Sequence, residues 1–309
     1  MFFHGEKNIA KLSLINGNGD MGMKKNKSCI TYVIGNRKGG SSKTGTTVSF
    51  ATILAIAGYE VLVVDSDPQS NTTQILGCYF GEEEEKGYDY SDVLLGKCNI
   101  RDAIIHSPYG MDVLVNEKKI DRLSDAFMEY KYEYLKPNGI NSSTILARAL
   151  DEIKENYDYI IIDTNPSDSE AGDNTLIAAD KLIVPVQEEG ASNDGLQDEL
   201  DKVQYVQENF NEDFEIAGVF LCNIDPRQTN LFKQRRALLE DALGDLFKKT
   251  AVRSALLYKN SSSFYKPIYF LEKKSKIGTD YINLALELNL ITKNDYKLLT
   301  KQGYVLKEK

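Results

Sequence analysis

The chain has 309 residues, 42% hydrophobic and 27% charged, with a formal net charge of −9, an ordinary globular composition for one large domain or two small ones. No run of about eighteen apolar residues marks a membrane-crossing helix, and the short apolar start is not followed by a leader's core and small-residue cleavage site. Four scattered cysteines, Cys29, Cys78, Cys98 and Cys222, form no C-x-x-C pair, and the only histidines are His4 and His106; these argue against a zinc or histidine-based metal centre and for a reducing compartment.

The charge is unevenly spread. Residues 225–276 hold twelve Lys/Arg and five Asp/Glu, a balance of +7, so the remainder carries −16. Residues 187–215 hold ten acidic groups and one lysine. That asymmetry points to a basic face on an acidic body.

In chain order, residues 1–28 are turn-rich, with Asn16-Gly-Asn-Gly-Asp20 at their centre, and read as an irregular arm or as sequence upstream of an internal start. Residues 29–309 read as a single domain. The apolar run Ile30 to Ile34 predicts a strand, followed by Lys38-Gly-Gly-Ser-Ser-Lys43-Thr44 and a segment of helical spacing that should stop at Gly58. Strand, glycine-bearing loop and helix N-terminus in that order make a phosphate cradle: glycine lets backbone N–H groups approach an oxyanion, and the helix N-terminus attracts negative charge. Lys43 is placed to reach β- and γ-phosphates and Thr44 to meet Mg²⁺. The strict G-x-x-x-x-G-K-[ST] pattern is not met, because Arg37 and Ser42 occupy its glycine positions.

Val61 to Val64 is a fully apolar run, the mark of a strand buried on both faces of a parallel sheet. It ends in Asp65-Ser-Asp67-Pro-Gln69, where carboxylates either point into a ligand crevice at the strand's C-terminal end or form a helix cap with an acidic first turn. Residues 81–92 read as a solvated acidic loop, 92–105 as a short helical region and Val113–Val115 as a short strand. Two helical stretches, Ile120 to Tyr134 and Ser142 to Glu155, are broken by Pro137-Asn-Gly139. Tyr157 to Asp163 is a second apolar strand closed by an aspartate, the arrangement that holds magnesium in phosphate-transfer sites. Lys181–Val186 and Ile216–Asn223 are further strands, with a helix near Asn193 to Asn209 between them. The alternation predicts a mostly parallel twisted α/β sheet with helices on both faces. Beyond it, Thr229 to Leu246 reads as a helix, Lys248 to Arg253 as a short strand, Ser261–Ser263 as a turn and Tyr281 to Leu288 as a closing helix.

These stretches together resemble the deviant Walker A, P-loop ATPases of the ParA/MinD type, closest to the plasmid and chromosome partitioning proteins. Lys38 to Thr44 matches K-G-G-x-x-K-[ST], Val64 to Gln69 is similar to D-x-D-P-Q, and Tyr157 to Ser167 to the strand before P-P-S. Ala179 to Val186 looks like A-A-D-x-x-x-x-P-V, Gly218 to Arg227 like the segment with D-P-R near its end, and Ser275 to Tyr281 like S-K-x-x-x-x-Y. The departures are Ser42 for glycine, Gly45 after Thr44, Asn165 for the first proline of P-P-S, and Asp168-Ser-Glu170 after it.

The resemblance implies an ATPase using ATP and Mg²⁺. By it Lys38 is the signature lysine that crosses a dimer interface, Lys43 the phosphate lysine and Asp67 the residue positioning water. Gly39, Gly40, Ser41, Ser42 and Gly45 complete the loop, Thr44, Asp65 and Asp163 hold magnesium, and Asn223 and Pro226 lie by the adenine. It further implies an ATP-dependent homodimer that binds DNA without sequence preference, a centromere-binding ParB-like adaptor, and a cytoplasmic, nucleoid-associated protein with no membrane attachment. Candidate DNA-phosphate contacts are Lys233, Arg235, Arg236, Lys248, Lys249, Arg253, Lys273, Lys274 and Lys276. Competing readings are a membrane-associated division-site regulator of the MinD kind, which needs an amphipathic helix within Asn294–Lys309, and an electron-transfer ATPase with Cys78 or Cys98 at a dimer-bridging cluster. A nucleotide-binding scaffold without turnover is the third.

Overall fold

The computed structural model describes residues 29–36, 42–79, 87–117, 123–164, 170–187, 193–225 and 229–306. The first half runs β1 (Ile30–Ile34), α1 (Lys43–Ala57), β2 (Val61–Asp65), α2 (Asn71–Ile75), α3 (Tyr90–Leu94), β3 (Ile104–His106), β4 (Asp112–Leu114), α4 (Leu123–Tyr130) and α5 (Ile145–Asp151). The second runs β5 (Tyr159–Asp163), α6 (Glu170–Ile177), β6 (Lys181–Gln187), α7 (Asn193–Asn209), β7 (Glu215–Cys222), α8 (Thr229–Leu243), α9 (Leu256–Phe264), α10 (Ile268–Leu271), α11 (Lys276–Glu287) and α12 (Lys293–Gln302).

The strands form one seven-stranded sheet in the order β3-β4-β2-β5-β1-β6-β7. Every pairing is parallel except β3 with β4. The strands are apolar throughout because both faces are covered. In β2, Val61 and Val63 enter one hydrophobic cluster with α1, α11 and α12, while Leu62 and Val64 enter the other with α3, α5 and residues of α6 and α7. Helix α1 is buried on nearly every side, from Gly45 to Leu54, as expected for a helix enclosed by the fold rather than lying on it. It ends where the sequence predicts: Gly58 takes φ 94° and donates its N–H to the Ala55 carbonyl at 3.0 Å.

Several expectations need correction. Asp89 is not in an acidic loop; its buried carboxylate caps α3 through Ser91 and Asp92, and Asp92 returns a bond to the cap, a reciprocal capping box. The rest of that loop, 80–86, lies outside the described residues. Residues 92–105 hide β3, three residues at the sheet edge and too short to show a period. Residues 248–253 do not form a strand; the segment runs beside β7, with isolated bridges between Val219 and Phe247 and between Ile224 and Arg253, and the Lys248 and Val252 N–H groups donate to the Val219 and Leu221 carbonyls, each at 2.8 Å. Ser261–Ser263 is not a turn but the last part of α9. Burial overrides the serines' weak preference: Ser261 is 4% exposed, and its hydroxyl donates to the Lys266 carbonyl at 2.5 Å.

The closing helix begins earlier than predicted, at Lys276, capped by the Ser275 hydroxyl accepting from the Gly278 N–H at 3.1 Å, and α12 follows it. Leu299 of α12 and Val305 beyond it are buried in the cluster that contains α1, and the Tyr59 hydroxyl donates to Asp295 at 2.9 Å. In the stretch that a membrane-seeking reading requires, Leu299 and Val305 thus belong to the core while Leu298 is 39% exposed. Among the described residues no helix is long and apolar enough to cross a membrane. Cys78 and Cys98 are 1% and 7% exposed, inside the two clusters rather than on a surface where two copies meet.

Candidate functional site

The sheet's strand order reverses around β1: the chain moves from β1 outward to β2 on one side and later to β6 on the other, with β5 inserted between β1 and β2. Such a switch point opens a crevice beyond the carboxyl ends of the strands. The registers place Ile34, Asp163 and Asp65 side by side there, Ile34 opposite Asp163 and Asp65 opposite Asp163. The aspartates that end two apolar runs about a hundred residues apart in sequence are therefore neighbours on adjacent strands, both fully buried.

Three hydroxyls converge on Asp163. Thr44 donates to Oδ2 at 2.8 Å, Thr72 to the same oxygen at 2.7 Å, and Thr47 to Oδ1 at 3.4 Å. Asp65 accepts from the Thr73 N–H at 2.8 Å, the Thr73 hydroxyl at 2.7 Å and the Asp67 N–H at 3.2 Å. Burial, first of all, pushes both carboxyls above the ordinary range. Asp163 charge pushes Asp65 further, and Asp67 does the same to Asp163, against the lowering effect of these hydrogen bonds. Two desolvated carboxylates side by side favour a cation between or near them.

Lys43 supplies one positive charge. It is 7% exposed and its ammonium donates to the Asn36 carbonyl at 3.0 Å, while Asn36 is itself anchored by its amide to the Pro185 carbonyl at 2.6 Å. Burial lowers the lysine's pKa and the charges of Asp163 and Asp67 oppose that. The Thr44 hydroxyl with Asp163 and Asp65 is a hard-oxygen donor set that fits Mg²⁺. Among the described residues no cluster of three or more His, Cys, Asp or Glu is placed to hold a metal by itself; a magnesium ion there would be held by Thr44, Asp163 and Asp65 together with ligands from outside the chain.

Ser42, at a position where the strict phosphate-loop pattern has glycine, adopts φ 62° and ψ 25° at the start of α1. That is the left-handed region, which costs a residue with a Cβ about 1–2 kcal/mol. Its hydroxyl bonds to the buried Cys222 thiol, itself pushed up to about 12 by burial. The Ser42→Gly variant is expected to gain about 1 kcal/mol in urea unfolding, the strain relief exceeding the loss of one weak thiol contact.

Of the other sequence-predicted residues, Asp67 sits just past β2 and accepts from the Gln69 N–H at 2.9 Å. Gly45 is buried in the first turn of α1. Asn223 follows β7, exposed, with φ 56°. Lys38, Gly39, Gly40, Ser41, Asn165 and Pro226 lie outside the described residues. Sequence reasoning missed Thr47, Thr72, Thr73 and Asn36. Thr47 follows Thr44 by three residues, one helical turn, and was within reach of that argument; the contact of Thr72 spans 91 residues and carries no local signal.

The nine basic candidates lie on separate elements: α8, the segment beside β7, and the two ends of α11. Arg253 is held by Asp280, with Nε donating to Oδ2 at 2.6 Å and an Nη to Oδ1 at 2.7 Å, which makes it a structural residue. Lys249 lies at the C-terminal end of α11, its N–H bonded to Glu287 at 2.6 Å. Lys273, Lys274 and Lys276 are exposed at the other end, about 16 Å away along the helix axis. The Lys248 ammonium donates to the Asp245 carbonyl at 2.9 Å, and Lys273 stands over the Tyr304 ring at 4.7 Å. Lys233 and Arg236 are on α8, as is Arg235, whose side chain is outside the described atoms.

A family profile for the AAA domain matches residues 30–216, which takes in the site from β1 to the start of β7. The sporulation initiation inhibitor protein Soj of Bacillus subtilis is 35% identical over 256 residues, 82% of this chain and 96% of that protein. The chromosome partitioning protein ParA of Caulobacter vibrioides is 30% identical over 258 residues, 82% of this chain and 92% of that protein. Among solved structures, cobyrinic acid a,c-diamide synthase from Mycobacterium smegmatis with bound ADP and magnesium superimposes with a TM-score of 0.66 at 25% identity, over 83% of this chain and 94% of that one. Buried aspartates at the switch point, a lysine and threonine opening α1, and these likenesses lead to one conclusion: the chain belongs to the AAA-domain family, among the ParA/MinD-type ATPases.

Proposed function

We propose that this protein is an ATP-dependent partitioning ATPase that binds DNA as an ATP-held homodimer and releases it on hydrolysis. The observation that carries the reading is the set of threonine hydroxyls on Asp163, with the Lys43 ammonium nearby in the same crevice. Thr44, Asp163 and Asp65 hold Mg²⁺, directly or through water, and Lys43 meets the β- and γ-phosphates. When bound, Mg²⁺ neutralises charge on the phosphate oxygens. Lys38, Gly39, Gly40, Ser41, Ser42 and Gly45 wrap the phosphates with backbone N–H groups, and Asn223 and Pro226 border the adenine. Asp67, at the crevice mouth, orients the attacking water. Lys38 of each copy reaches the nucleotide of the other, so triphosphate joins the dimer and its hydrolysis loosens it.

Dimerisation doubles the basic surface, and DNA affinity rises by avidity. Lys233, Arg235, Arg236, Lys248, Lys249, Lys273, Lys274 and Lys276 remain as DNA-phosphate contacts; Arg253 is withdrawn by its pairing with Asp280. A ParB-like adaptor on the cargo would stimulate turnover. The burial of Leu299 and Val305 supports an assembly without membrane attachment.

The test is oligomer mass with MgATP, with MgADP, and with Lys38→Ala plus MgATP. A dimer is expected only in the first. Equal dimer in all three overturns the switch, and DNA affinity that is flat between low and moderate salt overturns the phosphate contacts, each of which contributes about 0.9 to the log–log salt slope.

A further inference from the structure

A second cleft lies on the sheet face opposite α1, between α3, α5 and the turn that follows α4. It shares no lining residue with the nucleotide crevice. Its floor is apolar, built from Val93, Ile100, Leu135, Ile145 and Ala149. One wall is a pair of tyrosines, Tyr130 and Tyr134, stacked with centroids 5.3 Å apart and planes within 8°. Tyr130 precedes, and Tyr134 lies within, a π turn, Lys131–Leu135, closed by the Lys136 N–H on the Lys131 carbonyl at 2.8 Å. Such turns carry one residue more than an α-helical turn and recur at functional sites. Gly96, at φ 63°, lets the wall close, because a Cβ there would collide with the Tyr130 hydroxyl.

The charges at the rim are unequal. The Glu152 carboxylate is engaged by the Asn99 amide at 2.9 Å and by Arg101 at 3.6 Å. Arg148 also lines the cleft, is exposed, and makes no hydrogen bond or ion pair among the described residues. The cavity measures about 90 Å³, room for one ring or a branched chain of that size. A nucleotide needs several times more.

We propose that this cleft binds a small aromatic or branched-chain carboxylic acid, its apolar body against the tyrosine pair and the floor, its carboxylate on Arg148. Asn174, fully buried in α6, donates to the Ser142 carbonyl at 2.9 Å and accepts from the Leu146 N–H at 3.2 Å, so α5 and α6 are tied. Helix α6 begins seven residues after Asp163. A ligand that stiffens α5 therefore also stiffens α6, and any effect of that on the nucleotide site rests on the partitioning-ATPase reading; the binding itself does not.

Binding is tested on the full chain without nucleotide, by saturation-transfer NMR and thermal shift, with phenylacetate and isovalerate against phenylacetamide. The acids are expected to bind with millimolar or lower Kd, about fivefold tighter than the amide, the size of an exposed ion pair. Arg148→Gln should erase that preference and keep amide binding. Ala149→Leu should fill the floor and abolish both. Arg148 is exposed, so its variant folds, and it stands as the control if Ala149→Leu does not. Three results overturn the proposal: no binding at about 10 mM, corresponding to roughly 3 kcal/mol or less; equal affinity for acid and amide in the parent protein; or displacement of the acids by MgATP, which would place them in the phosphate loop instead. Failure of any of these leaves the nucleotide site unaffected.

Discussion

Lys43→Ala is expected to lose at least about a hundredfold in ATP hydrolysis, the scale of removing one charge-stabilising donor from a desolvated phosphate site, about 3 kcal/mol. The geometry explains why so much depends on one ammonium. Lys43 is buried at the first residue of α1, aimed back over the loop, and oriented by a carbonyl that Asn36 fixes against β6. Among the described residues the hydrogen bond an incoming phosphate must displace is to that neutral acceptor, so the lysine is preorganised for it. Lys43→Met preserves most of the apolar stem and is the control for packing: it should keep the unfolding midpoint close to the parent's while showing the same catalytic loss. Hydrolysis in either variant within about threefold of the parent would remove Lys43 from the phosphate site, a change of less than about 1 kcal/mol.

The second large effect is on stability. Arg253→Ala is expected to lower the unfolding free energy by about 2–3 kcal/mol, the cost of leaving the Asp280 carboxylate without its guanidinium in a partly buried ion pair. Asp280 is only 8% exposed at its side chain and accepts three bonds from Arg253, two from the guanidinium and one from the backbone N–H at 3.1 Å. That pair pins the segment beside β7 to α11. Lys273→Ala and Lys274→Ala, by contrast, remove exposed charges and should leave stability within about 0.5 kcal/mol while reducing DNA affinity. Urea titration and DNA binding measured on the same three variants separate the two classes. A stable Arg253→Ala with weakened DNA binding would reverse the assignment.

Those two residues also show how far the sequence could be read. The position of Lys43 was legible because it follows from local order: strand, loop, helix, with the lysine at the junction. The same holds for β2 and β5, whose uninterrupted apolar runs end in carboxylates, and for α7, whose bounds match the periodicity. Arg253 was not legible, because its partner lies on another helix and nothing in a run of basic residues separates a bonded cation from a solvated one. The hydroxyls of Thr72 and Thr73 were equally hidden; they stand next to the Asp67-Pro-Gln signature, but their acceptors are chosen by strand register. The errors at β3 and α9 share a cause. Three residues at an edge have no period, and three serines in a row suggest a turn that the burial of the first, Ser261, overrides.

The docking of α12 has a consequence for anyone shortening or tagging the molecule. Leu299 and Val305 lie in the same cluster as the helix that opens with Lys43, and the Leu306 N–H is bonded to the Thr279 hydroxyl at 2.9 Å. A stop codon after Ile291 would take away the buttress behind the phosphate-grasping helix, so the damage from a truncated tail would surface as weakened grip on the triphosphate, far from the cut.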